Sequence, residues 1–341
     1  AAAVECGAAG GDAVPESAAA VANPDYPAGN WRGRAHSDAA RDTRFDENLK
    51  GAEAARRALW GGKAEAPAAA WNWAALGATA AAPRLATLSF DPEVHPLAEA
   101  FAAAVAVPTA RLRELHLGWG EHFDRAASCI KPKRRSLQQL RDPRLQETAA
   151  FVRVYEAWIC GEVLPMLVPG LADPHGRILF QAVPCVRVQQ PCHFGTIRPH
   201  TDGMYGHPRG TVNAWVPLTD IDGPTATLQI ETRPGNRDFR PLPCTTVGSY
   251  CVGDMAECMH YTVGNETDST RVSLDARVVP EQCYLAQEDP EYRSGMYYSV
   301  AARCPDTGTY AVVSRGAASR QHGFPHTAKP RRPDSPGGGA S

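Results

Sequence analysis

The sequence predicts a mainly β domain with supporting helices, folded as an antiparallel sandwich or small barrel. Three observations carry that expectation. After Pro174 the chain breaks into short β-branched and aromatic runs separated by Gly, Pro, Asp and Asn. No segment of helical length interrupts them, so successive strands can pair as hairpins without parallel crossovers. Ahead of them, residues 91–167 repeat apolar side chains at spacings of three and four, the signature of helices with one buried face.

Taken in order, residues 1–84 are rich in Ala, Gly, Pro and Asp and lack sustained periodicity, so they are expected to be mostly loop or disordered, with a short helix near 47–60. Their acidic residues Glu5, Asp12, Glu16 and Asp25 argue against an organellar transit peptide. A catalytic domain is expected over 85–315. Its first part, 85–170, is a helical scaffold in which Leu97, Phe101, Ala104 and Val105 share one face. Leu137, Leu140, Leu145, Phe151, Val152, Tyr155, Trp158, Ile159 and Val163 continue the helical spacing until Pro165 and Pro169 stop it. Its second part, 175–315, holds expected strands at 178–182, 185–189, 212–218, 227–232, 249–252, 257–261, 270–279 and 310–314. Residues 316–341 are expected to form a flexible, mildly basic tail.

Composition excludes several classes of function. With 35 Lys+Arg against 37 Asp+Glu the chain lacks the basic excess of a nucleic-acid binder, and the compact basic run at 131–135 suits a solvated turn. The longest uncharged run, 66–83, is mostly alanine with Asn72 and prolines, which is a poor membrane span. The ten cysteines form no CxxC pair and are expected to be free, mostly buried thiols, which suits a soluble, intracellular chain.

The chemistry concentrates in the β portion. His200, Thr201 and Asp202 form an HxD triplet, and His260 lies 58 residues beyond Asp202. Two histidines and a carboxylate on one face of an octahedral Fe(II) leave the opposite positions for a chelating co-substrate and O₂. Residues i and i+2 of an extended segment point the same way, so His200 and Asp202 can reach one ion, with the third ligand supplied by another strand. HxD alone is weak, since about one match is expected by chance among the histidines of a chain like this. The other two matches, at His36 and His122, fall in a loop-like and a helical region where chelation is awkward. A second spacing is more selective: Arg271 follows His260 by 11 residues, with Ser273 two places further on. A 2-oxo diacid chelating the metal extends its distal carboxylate away from it, where a guanidinium and a hydroxyl on one strand face can hold it. Gly264-Asn265 supplies the turn between the two strands.

With these residues the sequence resembles the Fe(II)/2-oxoglutarate-dependent oxygenases, most closely the streptomycin-biosynthesis-type and phytanoyl-CoA-hydroxylase-like group. The resemblance is carried by several blocks in order: 185–191, His200-Thr-Asp202 with Tyr205-Gly-His-Pro208, Asn213-Ala-Trp215-Val-Pro-Leu-Thr219, Ile230-Glu231-Thr, Pro234-Gly, Asp238-Phe-Arg-Pro241 and 270–278. It implies a double-stranded β-helix, the jelly-roll, cupin-like core. His200, Asp202 and His260 would bind iron, Arg271 and Ser273 would bind 2-oxoglutarate, and Asn213 would face the same pocket from a neighbouring strand. Retention of Asp202 implies a hydroxylase instead of a halogenase, and the substrate implied is a small molecule. Two positions depart from the pattern, Ala214 where an aromatic residue is usual and Gly223-Pro-Thr-Ala in place of a Gly-x-Asn turn. The residues themselves leave open a cupin-type isomerase or dioxygenase that does not use 2-oxoglutarate, and a non-catalytic binding module. Outside the triad, His193 suits a loop, while His207 and Glu231 suit either the metal surroundings or ordinary surface positions.

Overall fold

The computed structural model describes residues 38–60, 71–117, 146–167, 176–191, 195, 197–285, 294–295 and 297–316, which fall within one unit, His36–Ser341. Leu137, Leu140, Leu145, the run at 131–135, His122, His193 and the 316–341 tail beyond Gly316 lie outside them. The strands are β1 (Leu85–Ser89), β2 (Ile178–Gln181), β3 (Cys185–Gln189), β4 (Val212–Pro217), β5 (Leu228–Ile230), β6 (Arg240–Pro241), β7 (Ser249–Gly253), β8 (His260–Thr262), β9 (Arg271–Pro280), β10 (Tyr298–Arg303) and β11 (Tyr310–Ser314). They build an eight-stranded sheet in the order β1-β7-β4-β9-β2-β10-β11, with β3 also paired to β9, and a three-stranded sheet β6-β5-β8. Every pairing between these strands is antiparallel. An isolated antiparallel bridge joins His200 to His260 and extends the smaller sheet by one short segment.

β9 shows how the sequence divides the two faces of the large sheet. Val272, Leu274, Ala276 and Val278 alternate with Arg271, Ser273, Asp275 and Arg277, and all eight are buried. The apolar set packs outward into the main core with helices α2 (Leu97–Ala104) and α3 (Gln146–Trp158). In α2 the buried side chains are Leu97, Ala98, Phe101, Ala102 and Ala104, and the chain leaves the helix at Ala106, whose φ of 57° cannot continue it. In α3 Phe151, Tyr155 and Trp158 line one side, and Phe101 meets Phe151 edge-on at 6.1 Å. The polar set of β9 points inward, toward the small sheet. The rest of that interior is filled by a second cluster in which Leu85, Trp215 and Cys251 of the large sheet meet Leu228 and Ile230 of the small one.

Several elements differ from the sequence expectation. Helix α1 (Asp38–Trp60) occupies much of the stretch expected to be loop and begins nine residues before the short helix anticipated at 47–60. β1 lies in a region expected to be helical scaffold, and β6 and β10 were not anticipated. β1 is short, alanine-containing and stabilised by a five-residue ladder to β7, a partner more than 160 residues away that local pattern cannot reveal. The seven cysteines among the described residues are free, five of them buried. No helix among the described residues is long and apolar enough to cross a membrane.

Candidate metal centre

His200 and His260 are brought together by their backbones. Each N–H donates to the other's carbonyl, at 3.1 and 2.9 Å, so the pair sits directly opposite across an antiparallel bridge with both rings on one face. The ring centroids are 4.3 Å apart. Asp202 opens a short 3₁₀ turn, Asp202–Tyr205, which Gly206 closes in the left-handed region at φ 97°. The turn is anchored from the segment before His260: Asp202 N donates to the Met255 carbonyl at 2.8 Å and Gly203 N to that of Ala256 at 3.1 Å.

The side chains are oriented as ligands would be. His200 Nδ1 donates to the Arg198 carbonyl at 2.7 Å and His260 Nδ1 to the Cys258 carbonyl at 3.1 Å. A carbonyl only accepts, so each Nδ1 carries the hydrogen and each Nε2 keeps a lone pair. Both Nε2 atoms lie 3.8 Å from Asp202 Oδ1. The three donor atoms fall within 4.8 Å of one another, and all three residues are buried. The second carboxylate oxygen, Oδ2, is occupied by Asn213 Nδ2 at 2.8 Å and Arg277 Nε at 2.8 Å, which leaves Oδ1 for an ion. The two antiparallel sheets, with the triad at the smaller one, form a double-stranded β-helix.

No family model matches the chain. Over 133 residues it is 31% identical to the streptomycin biosynthesis protein StrG of Streptomyces griseus; the match takes in 39% of this chain, and the chain spans 60% of the length of that relative. Among solved structures it is similar to the non-haem α-ketoglutarate-dependent epimerase SnoN from nogalamycin biosynthesis, at 17% identity over 72% of this chain and 95% of that one, with a TM-score of 0.33. It is also similar to EvdO2 from Micromonospora carbonacea var. aurantiaca, at 18% identity over 58% and 87% of the two chains and a TM-score of 0.31. These overlays are loose, so the functional reading rests on the residues of the β-helix itself.

Inside the β-helix, Arg271 and Ser273 stand where the strand alternation puts them, with Arg271 Nη1 donating to Ser273 Oγ at 2.7 Å. Gln189 of β3, directly opposite Arg271 in register, accepts from Nη2 at 2.5 Å, and the Trp215 ring lies 5.7 Å from the guanidinium carbon. Asn213, expected in the co-substrate pocket, makes its hydrogen bond to Asp202. Asp275 is held by Arg187 Nε at 2.7 Å and Arg277 Nη1 at 3.1 Å. The inward face thus carries an alternating chain of charges, Arg187, Asp275, Arg277 and Asp202. Sequence reasoning missed Arg277, Arg187 and Gln189. The period-two placement of Arg277 on the Arg271 face was the available signal. His207 is buried against β10, its Nδ1 3.1 Å from Tyr298 Oη. Glu231 is buried as well.

Burial raises the Asp202 carboxyl, but Arg277, then His260, His207 and His200, outweigh it and hold the acid well below its usual range. Burial, reinforced by His260, pushes His200 down to about 3 against the pull of Asp202. Burial with Arg277 does the same to His207, to about 3, and burial also lowers His260. The site is therefore a carboxylate facing neutral imidazoles, ready to accept a cation without first losing a proton. These imidazoles titrate lower in the folded chain than in the unfolded one, so the unfolded chain takes up protons first as pH falls. The metal-free protein is expected to lose stability from about pH 6.5 downward, each uncompensated proton costing about 1.4 kcal/mol per pH unit. Asp254 acts in the opposite sense: burial and Glu257, against Arg84, push it up to about 7, so it holds a proton in the folded state and offsets one histidine. Calorimetric melting between about pH 7.5 and pH 4.5 checks this, and a flat profile contradicts it.

Proposed function

We propose that this chain is an Fe(II)- and 2-oxoglutarate-dependent oxygenase that hydroxylates an unactivated C–H bond of a small molecule, with release of succinate and CO₂. The observation that carries the reading is the convergence of His200 Nε2, His260 Nε2 and Asp202 Oδ1 on one buried point. Two neutral imidazoles and one carboxylate form the donor set that suits a non-haem Fe(II) with open positions, whereas structural zinc sites close with four ligands and are rich in cysteine. Bound Fe(II), with 2-oxoglutarate and O₂, supplies the oxidant.

The chain's own residues have distinct tasks. The Arg198 and Cys258 carbonyls fix the tautomer of the two histidines, and Arg277 with Asn213 fixes which oxygen Asp202 presents. Arg271 and Ser273 would hold the distal carboxylate of 2-oxoglutarate, a role supported by their mutual hydrogen bond and by the Gln189 contact that holds the guanidinium. The second core cluster, with Trp215 over Arg271, keeps that end of the interior dry and strengthens the ion pair formed there. A small-molecule substrate is supported by the relative named for streptomycin biosynthesis. The test is formation of succinate that requires both Fe(II) and 2-oxoglutarate and disappears in His200→Ala.

A further inference from the structure

Helix α1 lies outside the β-helix, yet its contacts converge on the segments that carry the metal ligands. Leu49 and Ala52 pack with Met204, two residues beyond Asp202, and with Met259, the neighbour of His260. Phe45 packs against Tyr261, the other neighbour of His260, at 4.8 Å with the rings tilted by 58°, and Phe239 meets the same ring edge-on at 4.9 Å. The polar link is stronger. Arg56 Nη1 donates to Glu231 Oε2 at 2.8 Å, and the same oxygen accepts from Met259 N at 2.9 Å. Glu231 N in turn donates to the Met259 carbonyl at 2.9 Å, so this one residue grips the backbone beside His260 from both sides.

The Glu231 carboxylate is wrapped by its own loop. Gly235 N donates to Oε2 at 3.1 Å and Arg237 N to Oε1 at 3.2 Å, with both residues in the left-handed region at φ 89° and 57°. Arg237 then pairs with Glu53, one turn of α1 before Arg56. A buried carboxylate with this many donors is costly to leave without its cation, and Arg56 is its guanidinium partner from another element. The loop and α1 therefore form one unit closed around Glu231, with Met259 N as its outlet to the metal centre.

We propose that Arg56 and Glu231 are positioning residues for iron, α1 acting as a buttress that sets His260 against Asp202. The inference rests on the metal-centre reading above. With Arg56 removed, the Glu231 carboxylate is expected to turn toward water and release Met259 N, which loosens His260 while the β-helix core stays intact.

The test uses the full chain. Fe(II) affinity is measured by competition with a chelator, and the visible spectrum of the Co(II)-loaded protein reports ligand geometry. Arg56→Met is expected to bind Fe(II) roughly 10-fold more weakly, within the range seen when groups supporting a ligand are lost, and to alter the Co(II) spectrum. Arg56→Lys is expected to restore most of both, and Arg57→Met, on the exposed side of the helix, to match wild type. If Arg56→Met does not fold, Arg56→Gln is measured in the same way. An Arg56 variant that melts earlier but binds Fe(II) and Co(II) as wild type does overturns the inference alone. A wild-type chain that binds neither ion overturns the metal-centre reading, and this inference with it.

Discussion

Replacing Arg277 by methionine is expected to lower the stability of the metal-free chain by about 3–5 kcal/mol, the cost of stranding a buried charge. Arg277 donates to Asp202 and Asp275 at once and also to Gln181 Oε1 at 3.1 Å. Asp275 keeps Arg187, so the orphaned group is Asp202, facing neutral imidazoles in a low-dielectric interior. A divalent ion supplies the missing positive charge. Added Mn(II) or anaerobic Fe(II) is therefore expected to stabilise Arg277→Met by more than it stabilises wild type. Denaturant unfolding with and without metal measures both quantities. A loss below about 1 kcal/mol, or equal stabilisation of both proteins by metal, contradicts this account of the charge chain.

Arg271→Ala is expected to act on the co-substrate and spare the metal. Removing one side of a buried, hydrogen-bonded ion pair costs about 2–3 kcal/mol of binding, which corresponds to a rise of roughly 30- to 150-fold in half-saturating 2-oxoglutarate. Fe(II) affinity is expected to stay near wild type, because the described side chains that Arg271 bonds are Ser273 and Gln189. Arg271→Lys recovers only part of the loss, since an ammonium cannot make the paired donation of a guanidinium. Titrating succinate formation against 2-oxoglutarate in the three proteins checks this. An unchanged half-saturation point in Arg271→Ala would assign the residue to the framework and return the chain to a metal enzyme that ignores 2-oxoglutarate.

The parts of the fold legible in the sequence are those governed by strict alternation or by turn chemistry. β3 and β11 occupy the residues expected, and β9, buried on both faces, falls within one residue of expectation. The turn expected at Gly264-Asn265 is irregular chain leading into a bend at 267–269, which the Asn265 amide ties down by bridging the carbonyls of Gln189 and Ser269 at 3.1 and 2.8 Å. β8 begins at His260, three residues later than expected, because Asp254 caps a turn through Cys258 that resembles strand in composition. The full length and the attachments of helix α1 escaped notice for a different reason. Its attachments are ion pairs to Glu231 and Arg237, whose partners are about 180 residues away, and its own apolar side chains are too few to show a helical face. The metal triad could be seen because spacing alone constrains it. Period two puts Arg277 on the Arg271 face, but what selects Arg277 and Gln189 is the register between strands, Asn213 opposite Arg277 and Gln189 opposite Arg271.

Coupling of 2-oxoglutarate to O₂ at the buried His200, Asp202 and His260 centre, with Arg271 behind it, is the reaction proposed for this chain. It is tested most directly by supplying ¹⁸O₂ to the Fe(II)-loaded full chain with 2-oxoglutarate and analysing the succinate by mass spectrometry. The account predicts succinate carrying one ¹⁸O atom, formed only when iron is present and absent from Asp202→Ala. No succinate above the protein-free control, or succinate formed equally by Asp202→Ala, would contradict it.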